Sequence, residues 1–247
     1  MDQFDIKVPE ELIAQYPAQQ RDHSRLLVLD VDNNRIIDRV FKDILDYITP
    51  NDCIIYNNAR VINARLFGTK AKTGARLEVL LTRNINNKEW YCLIRPARRV
   101  SEGTVLEINK HHSLRVIEKH NEGVFRVRFS LPVDYSKLEY LGKIPLPKYI
   151  RREPVKDVDD YRYQTVYSEK YGAVASPTAG LHFTESIVQE IKNKGAFFVP
   201  VTLHVDWATF RPVKEKDYRD HQMHKEEYEI SDSSAQYINE AITQNRR

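Results

Sequence analysis

Short apolar runs broken by turn residues dominate the first half of the chain, and amphipathic helical stripes appear mainly near its end. Arg25-Leu26-Leu27-Val28-Leu29-Asp30 and Arg35-Ile36-Ile37-Asp38-Arg39-Val40-Phe41 flank Asp32-Asn33-Asn34, which predicts a β-hairpin. A short helix is predicted near Pro9–Ala14 and a second helical stretch around Lys42–Ile48, closed by the breakers Pro50-Asn51-Asp52. Cys53-Ile54-Ile55-Tyr56 then reads as a short buried strand.

From Val61 to about Phe129 β-type segments follow one another at short intervals. They are Asn63–Thr69, Arg76–Thr82, Trp90–Arg95, Thr104–Ile108, Leu114–Lys119 and Val124–Phe129, punctuated by Thr73-Gly74, Asn86-Asn87, Glu102-Gly103, His112-Ser113 and Asn121-Glu122-Gly123. Strands at this spacing predict a small antiparallel barrel.

Asp134–Leu141 has helical character, and Pro145-Leu146-Pro147 with Pro154 is expected to form a linker. Thr184 is placed to cap a helix through Glu190-Ile191 that stops at Gly195. Ala196–Val205 reads as a strand, and so does Tyr228-Glu229-Ile230. Ser231 or Asp232 caps a last helix whose apolar stripe is Ala235, Ile238, Ala241 and Ile242. The layout is an α/β (α+β) domain, 1–61 and 151–247, with an inserted small antiparallel β-barrel domain, 62–150.

Composition adds the compartment. No apolar run approaches the eighteen or so residues that a membrane span requires, and Met1–Lys7 carries no secretory pattern. The two cysteines, Cys53 and Cys92, sit singly in apolar stretches and suit a reducing cytosol, so a cytoplasmic protein is expected. Net charge is only +3, but its distribution is uneven. Between Arg60 and Arg99 ten basic residues face two acidic ones, whereas Lys214–Arg247 holds six basic and eight acidic residues. A basic segment of that kind suits a polyanion, because each neutralised phosphate releases counterions; a merely solvated basic face is the competing reading.

The most unusual local sequence is Ala175-Ser176-Pro177-Thr178-Ala179-Gly180-Leu181-His182-Phe183-Thr184, small residues and an imidazole just ahead of a helix. Such residues let a ligand approach backbone N–H groups, and a helix start favours anions. A tight connection that needs only the freedom of Gly180 explains the segment equally well. His182, His204, His221 and His224 fall in the last third of the chain, the last two at i, i+3 spacing. With Asp206 and Glu226 they resemble a loose metal set, but no paired metal motif supports one, and no metal is expected. Asn57-Asn58-Ala59-Arg60-Val61 follows a strand end, where α/β proteins place ligand contacts. Arg60, Arg65, Arg95, Arg98 and Arg99 border the barrel, and Tyr163-Gln164-Thr165-Val166-Tyr167 offers an amide and two rings that can stack a base or face a sulfonium.

These segments together resemble the S-adenosylmethionine:tRNA ribosyltransferase-isomerase family of queuosine biosynthesis. The likeness runs through Leu12-Ile13-Ala14-Gln15, Asn57–Val61 with Ala64-Arg65-Leu66, Arg95-Pro96-Ala97-Arg98-Arg99 and Ile144–Ile150. It continues in Tyr163–Tyr167, Pro177–Thr184, Thr202-Leu203-His204-Val205, Thr209-Phe210-Arg211-Pro212-Val213 and His221-Gln222-Met223-His224.

The resemblance implies an α/β fold with an inserted barrel. It also implies transfer and isomerisation of the ribosyl group of S-adenosylmethionine onto 7-aminomethyl-7-deazaguanine at the tRNA wobble position. The product is epoxyqueuosine-tRNA, with adenine and methionine released by a monomer that uses no metal and no cofactor, S-adenosylmethionine being a co-substrate. His182 or His204 is the expected base, with His221 and His224 as alternatives. Asn57, Arg60, Arg65, Arg95, Arg98, Arg99, Tyr163, Gln164, Tyr167, Pro177, Thr178, Ala179, Gly180 and Thr209 are the expected substrate contacts. Asp206-Trp207-Ala208 departs from a glycine-containing family turn, and Asn63 stands where proline is common. The family pattern also continues past the position of Arg247, which implies that the C-terminal part of the α/β domain is missing here. A tRNA-binding relative without turnover is the alternative.

Overall fold

A computed structural model describes residues 8–120, 123–210, 217–220 and 225–247. The predicted hairpin forms from β1 (Arg25–Asp30) and β2 (Arg35–Val40), with Arg25 opposite Val40 and Asp30 opposite Arg35. Its turn needs a left-handed residue, and Asn34 supplies it at φ 48°. Near the N-terminus only a 3₁₀ turn, Glu10–Leu12, stands where a helix was expected. Lys42–Ile48 is likewise a 3₁₀ segment, Phe41–Tyr47, with Phe41 buried beside Ile187, Ile191 and Ala196.

β3 (Cys53–Asn57) and β4 (Ala59–Val61) lead into the barrel. β5 (Arg65–Lys70), β6 (Arg76–Asn86), β7 (Glu89–Arg95), β8 (Val105–Glu107), β9 (Ser113–Lys119) and β10 (Val124–Phe129) close in the order β10-β7-β6-β5-β8-β9. Alternation decides which side chains fill it: Leu77, Val79 and Leu81 of β6, Trp90, Cys92 and Ile94 of β7 and Phe125 and Val127 of β10 all point inward and lose nearly all contact with water. Burying side chains of this size is worth about 1.5–3 kcal/mol each. The barrel therefore has its own core and presents one end to the rest of the protein. At that end α1 (Tyr135–Leu141), capped by the Asp134 carboxylate accepting from Lys137 N, seats Leu138 on the barrel core.

The stretch expected to be a linker is packed instead. Ile144, Pro145, Leu146 and Pro147 are buried, and Lys143 and Arg65 exchange backbone hydrogen bonds. α2 (Lys156–Arg162) follows, a helix that the sequence reading lacks. Its sequence, Lys-Asp-Val-Asp-Asp-Tyr-Arg, has no apolar stripe to announce it. It is fixed instead by Arg152, whose guanidinium makes a bidentate pair with the buried Asp159 at 2.6 and 2.7 Å.

β11 (Lys170–Ala173) runs parallel to β4. α3 (Glu185–Asn193) is capped by Thr184 as predicted and ends at Gly195, which takes φ 85°. β12 (Phe197–His204) pairs in parallel with β3 and antiparallel with β13 (Glu227–Glu229). α4 (Asp232–Thr243) is capped by Ser231. The molecule is a mixed α/β protein with a closed antiparallel barrel inserted between β4 and β11. Among the described residues no helix is long and apolar enough to cross a membrane.

Candidate active site

Three sequence segments that lie far apart in the chain are knitted together at the ends of β3, β4 and β12. Asn57 Oδ1 accepts from Leu203 N at 3.0 Å and its Nδ2 donates to Leu203 O at 2.9 Å, so the side chain extends the β3–β12 pairing. Asn58 Oδ1 accepts from Thr202 Oγ1 at 2.7 Å. Gln164 repeats the device: its amide donates to Val61 O at 2.8 Å and accepts from Val61 N at 3.0 Å. Tyr163 is sealed in the core with Ala59, Val61 and Ala173. Asn57, Tyr163 and Gln164 thus spend their polar or apolar capacity on holding the site's floor.

Tyr167 packs on Tyr56 at 4.5 Å and on Phe198 at 5.8 Å, and burial, assisted by Tyr56, pushes its hydroxyl up to about 12. That hydroxyl and the methyl of Thr165 explain Gly180. A Cβ at position 180 would stand 2.5 Å from Tyr167 Oη and 2.8 Å from Thr165 Cγ2. Close approach, rather than a positive φ, is what requires glycine there. Pro177 is half-buried, while Thr178 and Ala179 are exposed on the turn Thr178–His182. His182 leaves this turn toward Phe41, with ring centroids 5.2 Å apart.

Arg60 stands at the junction of two cavities. One, of about 410 Å³, is lined by Arg21, Arg60, Lys156, Gln164, Thr165 and Glu185 among others. The next, of about 300 Å³, shares Arg60, Lys156, Asp160 and Gln164 and reaches Tyr135 and Tyr171. Burial pushes the Asp160 carboxyl up, against the opposing pull of Asn63 Nδ2 and Lys156. The Arg60 guanidinium lies 5.2 Å above Tyr171, which stacks on Tyr135 at 5.5 Å and 9°. Tyr171 Oη also donates to Glu139 Oε1 at 3.0 Å, so β11 is clasped to α1.

Tyr135 leads into a third and larger space, a cleft of about 550 Å³ between the barrel mouth and the α/β domain. The barrel contributes Arg83, Trp90, Tyr91 and His120; the α/β domain contributes Gly172, His204, Trp207, Glu226 and Glu227. His204, at the end of β12, lies directly against Gly172, where an added Cβ would stand 2.7 Å from Nδ1. Gly172 sits at φ 143°, a conformation open to glycine alone at low cost. The chain therefore gives up a side chain at 172 to let the imidazole face the cleft.

The remaining candidates are spread around these spaces. Arg65 is held by Glu78 at 3.3 Å and by Leu146 O at 3.1 Å. Arg95, Arg98 and Arg99 are exposed on and after the end of β7, and Arg95 lines a small cavity with Trp207. Thr209 is exposed on the 3₁₀ turn Trp207–Phe210. His221 and His224 lie outside the described residues. The structure thus brings Arg60 and Gln164 together on two neighbouring cavities, sets Tyr167 against Gly180, puts His204 on the cleft, and leaves His182 out of the cleft lining. Gly172, Tyr135, Tyr171, Trp90 and His120 are additions that sequence reasoning missed; of the cleft residues besides His204, the sequence had marked Asp206, Trp207 and Glu226. Among the described residues no group of three or more histidine, cysteine, aspartate or glutamate side chains is placed to hold a metal ion.

An α/β scaffold with an inserted barrel, opening through a cleft that carries an imidazole and an aromatic wall, defines a class of protein. The chain belongs to the family described as queuosine biosynthesis protein, which it matches over residues 1–247. It is 43% identical over 240 residues to the S-adenosylmethionine:tRNA ribosyltransferase-isomerase of Desulforamulus reducens, covering 96% of this chain and 70% of that one. It is 41% identical over 258 residues to the Staphylococcus aureus protein of the same name, covering 100% of this chain and 72% of that one. A solved S-adenosylmethionine tRNA ribosyltransferase from Thermotoga maritima is 28% identical, with 99% of this chain and 67% of that chain covered at a TM-score of 0.42.

Proposed function

We propose that this chain is an S-adenosylmethionine:tRNA ribosyltransferase-isomerase. It moves the ribosyl group of S-adenosylmethionine onto 7-aminomethyl-7-deazaguanine at the tRNA wobble position and releases adenine and methionine. The observation that carries the reading is the unbroken family match over residues 1–247. The geometry supports it: two neighbouring cavities share Arg60 and Gln164, and Tyr135 lines both the second of them and the interdomain cleft.

The chemistry begins with loss of a proton from the ribose carbon beside the sulfonium, whose positive charge acidifies it. Of the candidate bases, His204 is the one we assign to this step, because its ring borders the cleft and is positioned by Gly172. His182, packed on Phe41, is assigned a structural part. Arg95, Arg98 and Arg99, exposed on and after the end of β7, are assigned to tRNA phosphates. S-adenosylmethionine is consumed as a co-substrate, and the reading includes no metal and no further cofactor. It also takes the protein to be a cytoplasmic monomer, with no membrane partner.

Adenine release from S-adenosylmethionine, with tRNA bearing the precursor base, tests the reading. Release that depends on the aminomethyl group is the expected result. tRNA binding without any adenine would replace the transferase with a binding protein. His204→Ala should abolish release and leave tRNA binding intact; full turnover in that variant would remove His204 from the base role.

A further inference from the structure

The whole sequence contains two tryptophans, Trp90 and Trp207, and both line the interdomain cleft. They come from different domains: Trp90 from inside the barrel mouth, Trp207 from the turn after β12. Trp90 is only 1% exposed, yet among the described residues its Nε1 has no hydrogen-bond partner. The neighbouring Tyr135 ring, edge-on at 5.8 Å and 83°, offers at most an N–H···π contact, which is second-order beside a missing hydrogen bond. Two further nitrogens on the same cleft, His120 Nε2 and His204 Nδ1, are also buried without a partner. Glu118 approaches His120 only to 3.6 Å.

Buried polar atoms are almost always satisfied, and the indole N–H of Trp90 can only donate, so these orphaned ring nitrogens around one cavity call for a ligand that offers an acceptor to Trp90 and a donor or an acceptor to each imidazole. The walls narrow its shape. Tyr91, which carries Arg83 at 4.7 Å over its face, Tyr135 and Trp207 present rings to the space. A flat heterocycle gains stacking against such rings and can place a ring nitrogen or exocyclic oxygen on the Trp90 N–H.

We infer that the barrel mouth is a nucleobase subsite, in which Trp90 donates its indole N–H to the base and the ring walls of Tyr91 and Trp207 stack it. The inference rests on the transferase reading for its two possible occupants, the adenine of S-adenosylmethionine and the wobble base of tRNA, which share this chemistry. Neither Trp90 nor His120 belongs to the family-like motifs; the barrel is assigned a share of the reaction centre in addition to any grip on the RNA backbone.

Two measurements test it. Because both fluorophores line the cleft, adenine, S-adenosylmethionine and an anticodon stem-loop carrying the precursor base are each titrated while tryptophan emission is followed. Saturable quenching by at least one of them is expected, with both Trp90→Phe and Trp207→Phe retaining part of the signal. Trp90→Phe keeps the aromatic bulk and removes the donor. It should raise KM about tenfold for one substrate and leave the other unchanged. A shift confined to S-adenosylmethionine places adenine in the subsite; one confined to tRNA places the wobble base there. His120→Ala, on the half-exposed rim, is the second variant and guards against a barrel that fails to fold; it should move the same KM in the same direction. Unchanged KM values for both substrates in folded Trp90→Phe and His120→Ala, or no quenching by any ligand, would overturn the inference while wild-type adenine release still upheld the transferase. Quenching by adenine in a wild-type protein that releases none would do the reverse.

Discussion

Gln164 pairs with the backbone of Val61 through both halves of its side-chain amide, at 2.8 and 3.0 Å, as a neighbouring strand would. The pair is fully buried and lies one residue from Arg60. Gln164→Leu keeps the volume but leaves the Val61 N–H and C=O unpaired, and each such group costs about 1–3 kcal/mol. The expected result is a lower urea midpoint with an unchanged m-value, together with weaker S-adenosylmethionine binding as the Arg60 strand loosens. A variant as stable as wild type would show that β4 does not depend on this amide.

Gly172 and His204 give the sharpest separation of geometry from strain. Gly172→Ala adds a methyl 2.7 Å from His204 Nδ1, at a φ of 143°. Gly103→Ala in the barrel turn serves as a control, because φ there is 78° and nothing lies within 4 Å of the new methyl. Both variants should lose roughly 1 kcal/mol or more of stability from backbone strain. Only Gly172→Ala should also lower kcat for adenine release, by about tenfold or more, with tRNA affinity retained. Equal kcat in the two variants would mean that His204 does not need its present position.

Much of this architecture can be read from the chain. Thr184, Ser231 and Gly195 mark helix ends because capping and left-handed termination are local chemistry, and the barrel strands announce themselves by alternation between turn residues. What fails is whatever depends on partners distant in sequence. α2 has no apolar stripe, and its stability comes from Arg152 gripping Asp159 and from Arg21 donating to Tyr161 O across 140 positions of sequence. His182 follows a turn of small residues and His204 ends an apolar strand, but neither local context says which imidazole borders the cleft. Only packing separates them, one ring against Phe41 and the other on a cleft half of whose walls belong to the barrel. Trp90 reads simply as a barrel-core residue, which it also is; its unpaired nitrogen is visible only in three dimensions.

Basic residues of the Arg60–Arg99 segment should divide by what already holds them. Arg65 is engaged by Glu78 and Leu146 O, whereas Arg98 and Arg99 have exposed guanidinium groups beside the barrel end. Arg98→Ala and Arg99→Ala should each weaken tRNA binding and flatten the log–log salt dependence by about one unit for every phosphate no longer neutralised. Arg65→Ala should lower thermal stability and leave the salt slope unchanged. Filter-binding at several salt concentrations distinguishes these outcomes, and an Arg65→Ala slope reduced as far as that of Arg99→Ala would contradict the division.

Arg152 and Asp159 make a pH-dependent prediction. Burial alone would raise the Asp159 carboxyl, but the bidentate Arg152 guanidinium and the Val155 N–H together hold it below the usual carboxylate range. A depressed folded-state value stabilises the protein above the unfolded value of about 3.9, and that stabilisation disappears as pH falls through the folded value. Arg152→Met removes the partner and leaves an uncompensated buried carboxylate, at a cost of about 3 kcal/mol or more near neutral pH. In that variant burial acts unopposed by Arg152, so the carboxyl value rises and protonation at low pH relieves the penalty. The difference in Tm between wild type and Arg152→Met should therefore be widest at about pH 7 and shrink steadily below about pH 5. A difference that stays constant across that range would mean that the loss comes from packing, through the Arg152 interactions with Tyr16 and Gln15 O, and not from the charge on Asp159.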